Sequence, residues 1–454
     1  MKHDNRNAID FANEPVGKLF HQMLVPTLVG MISIVILNLT DGAFVGHGAG
    51  ADSLAAINIA APIFTILSGI GMMFGLGGSV VASIHLSKGE IKPARINVTQ
   101  AFLGSVIITV IISGIMLCNL QATCRLFGSN EILLPLATSY LKWIAISSPL
   151  IILHMVGIFL IRLDGSPKYA MATSLAGTIL NIFLDWLFIF PFGWGLEGAA
   201  KATSISFGIA GLMVLFYFVW MPKTLSLYRL RRTWKSFFLT MRNLGYQIRM
   251  GFSALLGEIA ISGIEIAGNY IFVLYLGEAG VAAFSVACYC FPVIFMAANA
   301  IVESAQPIVS FAYGNGNKKR LKEAFNLMLK WSLVSGLGCS SIMFFGARYV
   351  AMLFLETGEP AYNICVSGLP LFSTGILFII LNVVYVGYLQ SIECSTRASV
   401  YTLLRGFILV IPCFIFLPKM VGEKGMWLAI PIAEFLTLIV ILATRKRLIV
   451  RKSI

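Results

Sequence analysis

Hydrophobic and polar positions alternate along this chain on a coarse scale: apolar runs of 20 to 30 residues are separated by short polar breaks. Twelve such runs stand out. They lie near 20–45, 57–86, 96–119, 132–161, 168–192 and 196–221, then near 247–276, 281–312, 324–346, 362–389, 397–418 and 424–444. About 20 apolar residues cross a bilayer as a helix, whereas a barrel strand needs only ~10. Runs such as 132–161 are therefore too long for strands. Lipid offers no partner to a free N–H or C=O, so each run is expected to close its hydrogen bonds within a helix. The pattern predicts an all-α membrane protein with 12 transmembrane helices.

The twelve runs form two sets of six. A shift of 227 residues lays Ala55-Ala56 on Ala282-Ala283, Ser83 on Ser310, Gly89 on Gly316 and Leu126-Phe127 on Leu353-Phe354. The same shift lays Pro191 on Pro418, Gly195 on Gly422 and Gly198 on Gly425. One unbroken shift over so long a stretch marks an internal repeat. A unit of six spans enters and leaves on the same side, so its two copies are parallel. The expectation is two six-helix bundles related by a pseudo-two-fold axis along the membrane normal. Residues 1–221 would form an N-lobe, 222–246 a basic cytoplasmic linker, and 247–454 a C-lobe with a basic tail. Two like bundles with a site between them suit a secondary transporter, though a channel or flippase shares the plan.

Composition agrees with a lipid solvent: 58% of residues are hydrophobic and 12% charged, against ~25% charged in a soluble domain. The net charge of +13 does not point to nucleic acid, because the basic residues sit in alternate loops. Most Lys and Arg fall on the side of the N-terminus: Lys2, Arg6, Lys18, Lys88, Lys92, Arg95, the linker, 318–322 and the tail to Lys452. The opposite side holds only Arg125, Arg348, Lys419 and Lys424. The positive-inside rule then makes both termini cytoplasmic, as an even span count requires. The N-terminal segment is polar and of mixed charge, and the first apolar run exceeds signal-peptide length, so that run is expected to be retained. The eight Cys are scattered without a C-x-x-C pair, so no zinc site is expected. No H-E-x-x-H, G-x-S-x-G or P-loop pattern occurs, and the chain reads as no enzyme, with no cofactor.

Ionisable groups within spans are expensive and are functional candidates. Six acids fall there: Asp41, Asp185, Glu258, Glu265, Glu303 and Glu434. Lys142, Lys201, Lys330 and Arg405 lie toward helix ends, where they are expected to snorkel rather than pair with those acids. Asn38 and Asp41 are three apart on the first span, and Asn181 and Asp185 four apart on the fifth, so each pair shares a helix face. Thr203 enters from the sixth span. Carboxylates with amide and hydroxyl oxygens suit a hard cation or a carried proton. The shift lays Asp41 on Gly268, Asn181 on Ile408, Asp185 on Pro412 and Thr203 on Ile430, so the polar group is not repeated. In the second half, Glu258 and Glu265 share a face of the seventh span, and Glu303 precedes Gln306-Pro307. Pro26 removes a hydrogen bond from the first span and invites a bend there. His47 and His85 read as ordinary helix-end residues.

These residues carry a resemblance. Asp41-Gly42-x-Phe44-Val45-Gly46, Leu54-Ala55-Ala56 with Pro62, and Asn181-x-x-Leu184-Asp185-x-Leu187-Phe188-Ile189-Phe190 resemble the MATE family (multidrug and toxic compound extrusion), in its DinF-like and MepA-like bacterial branch. Gly195-Leu196-x-Gly198-Ala199-Ala200-x-Ala202-Thr203, Gln306-Pro307-Ile308 and Tyr313-Gly314-x-Gly316-Asn317 extend it over residues 15 to 445. The resemblance implies a multidrug efflux antiporter of the bacterial cytoplasmic membrane. It would export lipophilic organic cations against inward H+ or Na+, as a monomer. It implies an ion site at Asp41, Asn181, Asp185 and Thr203, a cavity tyrosine at Tyr140, a helix-seven acid at Glu258 and a bending proline at Pro26. The chain departs from the family at His47 and in carrying Glu265, and 362–389 holds no acid to match a second-lobe aspartate. A lipid-linked precursor flippase of the same superfamily is the alternative, and it would need a cationic cavity.

Overall fold

The computed structural model describes residues 10–127 and 129–451. Lys2, Arg6 and Lys452 of the charge pattern lie outside them. Among the described residues every regular element is a helix. In order they are α1 (Val16–Ala49), α2 (Ala51–Ser87), α3 (Ile91–Cys118), a short α4 (Leu120–Leu126), α5 (Leu134–Leu163), α6 (Pro167–Ile189) and α7 (Gly195–Trp220). Then come α8 (Trp234–Gly314), α9 (Lys318–Met352), α10 (Pro360–Ser373), α11 (Ile376–Ser391) and α12 (Ser395–Leu403). A π-helical turn (Leu404–Ile408), α13 (Val410–Val421) and α14 (Glu423–Arg451) complete the chain.

Among the described residues ten helices are long and apolar enough to cross a membrane, and one bent pair adds an eleventh span. The twelfth comes from α8. Its 81 residues would reach about 120 Å at 1.5 Å each, against a hydrocarbon core of ~30 Å. It is broken at Gly277, with φ 63° and ψ −154°, a conformation open to glycine alone. Two spans result, and the protein is a twelve-span helical membrane protein of two bundles. The tenth span, expected to run unbroken over 362–389, bends by 46° between α10 and α11. A Cβ on Gly375 would stand 2.7 Å from the Cα of Pro431, so α14 crosses at the bend backbone to backbone.

Packing divides the chain into two compact units: Met1–Glu258 with Gln306–Leu321, and Ile259–Ala305 with Lys322–Ile454. In the first unit, Phe74, Phe102, Ile152, Val156, Leu160 and Phe218 are buried together across α2, α3, α5 and α7. Gly77 and Gly251 bring α2 and the start of α8 into backbone contact. Neutral polar side chains hold α3 to α8: Gln100 Nε2 donates to Thr240 at 2.9 Å, and Gln247 Nε2 to the Asn97 carbonyl at 3.0 Å. The basic segment after α7 is tied down by buried Asp164. Its carboxylate accepts the Tyr217 hydroxyl and the N–H groups of Lys223, Thr224 and Leu225, each at 2.7 Å. Burial pushes the Asp164 carboxyl above its ordinary range, against the pull of those four donors.

The repeat leaves a mark inside this unit. Ser79 Oγ donates to Gln306 Oε1 at 2.9 Å, and the two positions are 227 apart. Ser87 and Gly314, the same distance apart, are also in contact. In the second unit, Phe272 stacks on Phe284 at 4.6 Å and meets the edge of Trp427 at 5.1 Å. Gly368 leaves the room that Trp427 fills.

Candidate ion site and buried charges

The predicted ion site lies where α1, α6 and α7 meet in the first unit. Gly30 on α1 lacks the bulk that would hold α6 away, and its Cβ position is 3.7 Å from Ser174 Cβ. Eleven residues is three turns plus about 20°, so a face is kept over that interval. Eleven residues beyond Gly30 is Asp41, and eleven beyond Ser174 is Asp185. The contact at Gly30 thus sets both acids at one level on facing helices. Their carboxyl groups are neighbours, and Tyr140 on α5 is within electrostatic reach of both.

Asn181 and Asp185 are fully buried and Thr203 nearly so. Asn181 Nδ2 donates to Thr203 Oγ1 at 3.3 Å. Both oxygens of Asp185, one of Asp41 and the amide oxygen of Asn181 are buried with no hydrogen-bond partner. The group is therefore rich in acceptors and poor in donors. Two carboxylates cannot both stay ionised there without a counter-charge. A bound cation or a proton supplies it.

The remaining predicted residues lie outside the buried group, Tyr140 as its near neighbour. Asn38, one turn along α1 from Asp41, is exposed and is not in the buried group. Pro26 is buried inside α1, which runs through it as one helix. Tyr140 packs beside Val45, Leu141 and Leu196. Glu258 is half-buried at the end of the first unit, 3.4 Å from the Cβ position of Gly69 on α2. Glu265 and Glu303 belong to the second unit; Glu265 is half-buried beside Cys288 and Glu303 is buried. Among the described residues no group of three His, Cys, Asp or Glu is placed to hold a metal ion.

One expectation is corrected. Arg405 does not snorkel but pairs with the span acid Glu434. Arg405 Nη2 meets Glu434 Oε1 at 2.6 Å, with both side chains buried. Arg405 Nε adds bonds of 3.0 and 3.2 Å. Asn382 Nδ2 donates to Glu434 Oε2 at 2.7 Å, and the Phe295 ring lies 5.4 Å from the guanidinium. The π-helical turn inserts one extra residue per turn at Leu404–Ile408, which turns Arg405 inward. The repeat held a signal for this pair: Arg405 and Glu434 are the equivalents of Thr178 and Phe207, on the packed helices α6 and α7.

A family model described as MatE matches residues 26–187 and 243–415. "Multidrug export protein MepA" of Staphylococcus saprophyticus is 25% identical over 458 residues, covering 98% of this chain and 97% of that protein. The protein of the same name from Staphylococcus aureus is 24% identical over 448 residues, with the same coverage. Among solved structures, an outward-facing MATE family transporter of the MOP superfamily superposes with a TM-score of 0.91 at 23% identity, covering 99% of this chain and all of that one. A MOP superfamily transporter from Pyrococcus furiosus, described as having a binding pocket of reverse polarity, reaches 0.88 at 22% identity, with 96% and 97% covered.

Proposed function

The chain belongs to the MatE family of membrane transporters, and from that premise we propose that it is an ion-coupled exporter of lipophilic organic cations. The buried oxygen cluster of Asp41, Asn181, Asp185 and Thr203 carries this reading. Its charge is balanced either by the coupling ion, H+ or Na+, or by the charge of a drug. The two occupancies exclude each other, so inward ion movement drives outward drug movement. The MepA proteins that the chain resembles are named as multidrug exporters, which supports the same substrate class here. Pro26 leaves α1 one backbone bond short, so that helix is the element best suited to bend as Asp41 gains or loses its ion. We place the protein in the cytoplasmic membrane with both termini inside, as a monomer with lobes 1–221 and 247–454.

The flippase alternative is less well supported. It calls for a strongly cationic cavity, whereas buried Arg405 is neutralised by Glu434 and the cluster at Asp41 and Asp185 is acidic. Equilibrium binding tests the proposal. Binding of a fluorescent lipophilic cation to the purified parent is expected to weaken as pH falls or Na+ rises, whichever ion couples. Asp41→Asn should remove that dependence. A variant whose drug binding still responds to the ion as the parent's does would overturn the site.

A further inference from the structure

A second titratable group lies deeper in the same unit, and the proposed ion site does not use it. His154 on α5 is 2% exposed, and neither ring nitrogen has a hydrogen-bond partner. A polar side chain so buried normally finds one. Its ring lies 5.9 Å from that of Phe207 on α7. Phe207 is packed with Leu37 of α1 and Ile151 of α5 in a small buried cluster, with Met155 at its edge.

The helical register places this cluster relative to the ion site. Leu37 is one turn before Asp41, and Phe207 one turn after Thr203, on helices that run in opposite senses through the bundle. Ser147 Oγ donates to Ser204 Oγ at 3.0 Å beside Thr203, and His154 is two turns further along α5, about 10 Å. The order along the bundle is thus carboxylates, an apolar layer of Leu37, Ile151 and Phe207, then His154. Thr178, one turn from Asn181 on α6, adds a buried hydroxyl without a partner at the level of that layer. Beyond His154, α5 runs to buried Arg162, whose positive charge disfavours an imidazolium at His154 and so favours its giving up a proton, and to the Asp164 anchor of the basic linker.

We infer that His154 receives the coupling proton on the inner side of the apolar layer, which makes H+ the ion this carrier uses. This rests on the proposed ion site and orientation. The O–H bond of the Asp41–Asp185 carboxyl pair breaks, an N–H bond forms on the neutral imidazole, and a carboxylate is left behind. The imidazolium then releases its proton to cytoplasmic water. The layer keeps the two stations apart until α1 moves Leu37, so that proton passage is tied to the transport cycle. Of the titratable side chains on the helices around α5, His85 on α2, Arg95 on α3, Tyr169 on α6 and Tyr217 on α7 lie toward the linker end, and Asp52 on α2 with Glu197 and Lys201 on α7 toward the opposite end. Glu258 on α8 lies at a comparable depth against Gly69 of α2, two residues from the Gly71 that meets Met155, and Asp185 on α6 belongs to the ion site.

Proteoliposomes carrying the full chain test this with tetraphenylphosphonium as the drug. His154→Gln keeps a polar side chain but carries no proton. It is expected to slow transport driven by a pH gradient at least tenfold and to flatten its pH profile. Drug–drug exchange, which moves no net proton, should stay within twofold of the parent. Leu37→Ala should open a proton leak without drug, and adding His154→Gln should close it. Parental pH-driven transport in His154→Gln, an equal loss of both transport modes, a leak-free Leu37→Ala, or coupling to Na+ alone would each overturn the inference. Failure of the ion site itself reads out separately, as drug binding that stays ion-dependent in Asp41→Asn with His154 intact.

Discussion

Asp185 holds two oxygens in a fully buried position with no donor facing either. A residue kept for stability would not look like this, since an unpaired buried carboxylate is costly. Asp185→Asn should therefore raise the melting temperature in detergent at pH 8 by a few degrees while abolishing ion-driven efflux. A fall in melting temperature would mark the acid as structural. Arg405 and Glu434 give the opposite expectation. Losing one partner of a buried pair costs about 3–5 kcal/mol, so Arg405→Met should destabilise the protein strongly, and Arg405→Met with Glu434→Leu should recover most of the loss. Equal damage in single and double variants would contradict a simple pair. The sequence made the first group readable, because acids four and three residues from amides in apolar spans are conspicuous. It hid the second, because one extra residue in the π turn changes which way Arg405 points. His154 was hidden too: a lone histidine in an apolar span shows no pattern until Phe207 and Leu37 are seen around it.

At the scale of elements, glycine and proline decide where helices stop, bend or touch. Gly277 alone divides α8 into two spans. With φ positive there, Gly277→Val should strain the turn by roughly 1–2 kcal/mol or more, seen as a lower melting temperature with no change in drug affinity. Pro26 offers a sharper contrast. Pro26→Ala restores a backbone bond to α1 and should stabilise the fold. If bending of α1 is part of the cycle, it should also slow turnover with little effect on equilibrium drug binding. Unchanged turnover would make the proline a static feature. Helix number and most boundaries were readable from the length of apolar runs. The bend between α10 and α11 was not, because the close approach of Pro431 at Gly375 is a tertiary contact. The first turns of α8 were also concealed: residues 234–246 read as a polar linker, yet Thr233 caps them by accepting the Ser236 N–H at 3.2 Å.

Across the whole molecule, the two halves share a scaffold and differ in chemistry. The 227-residue shift predicted two like halves, and within the first unit Ser79 bonds to Gln306 at that separation. At equivalent positions the first half carries Thr178 and Phe207, and the second Arg405 and Glu434, a neutral site in one and a closed charge pair in the other. We therefore propose that ion exchange belongs to the first half alone. The most direct test is uphill transport of a lipophilic cation in proteoliposomes under an imposed pH gradient, parent against Asp41→Asn. The parent should concentrate the cation against its own gradient, and the variant should only let it equilibrate. Uphill accumulation by Asp41→Asn at the parental level would contradict the assignment.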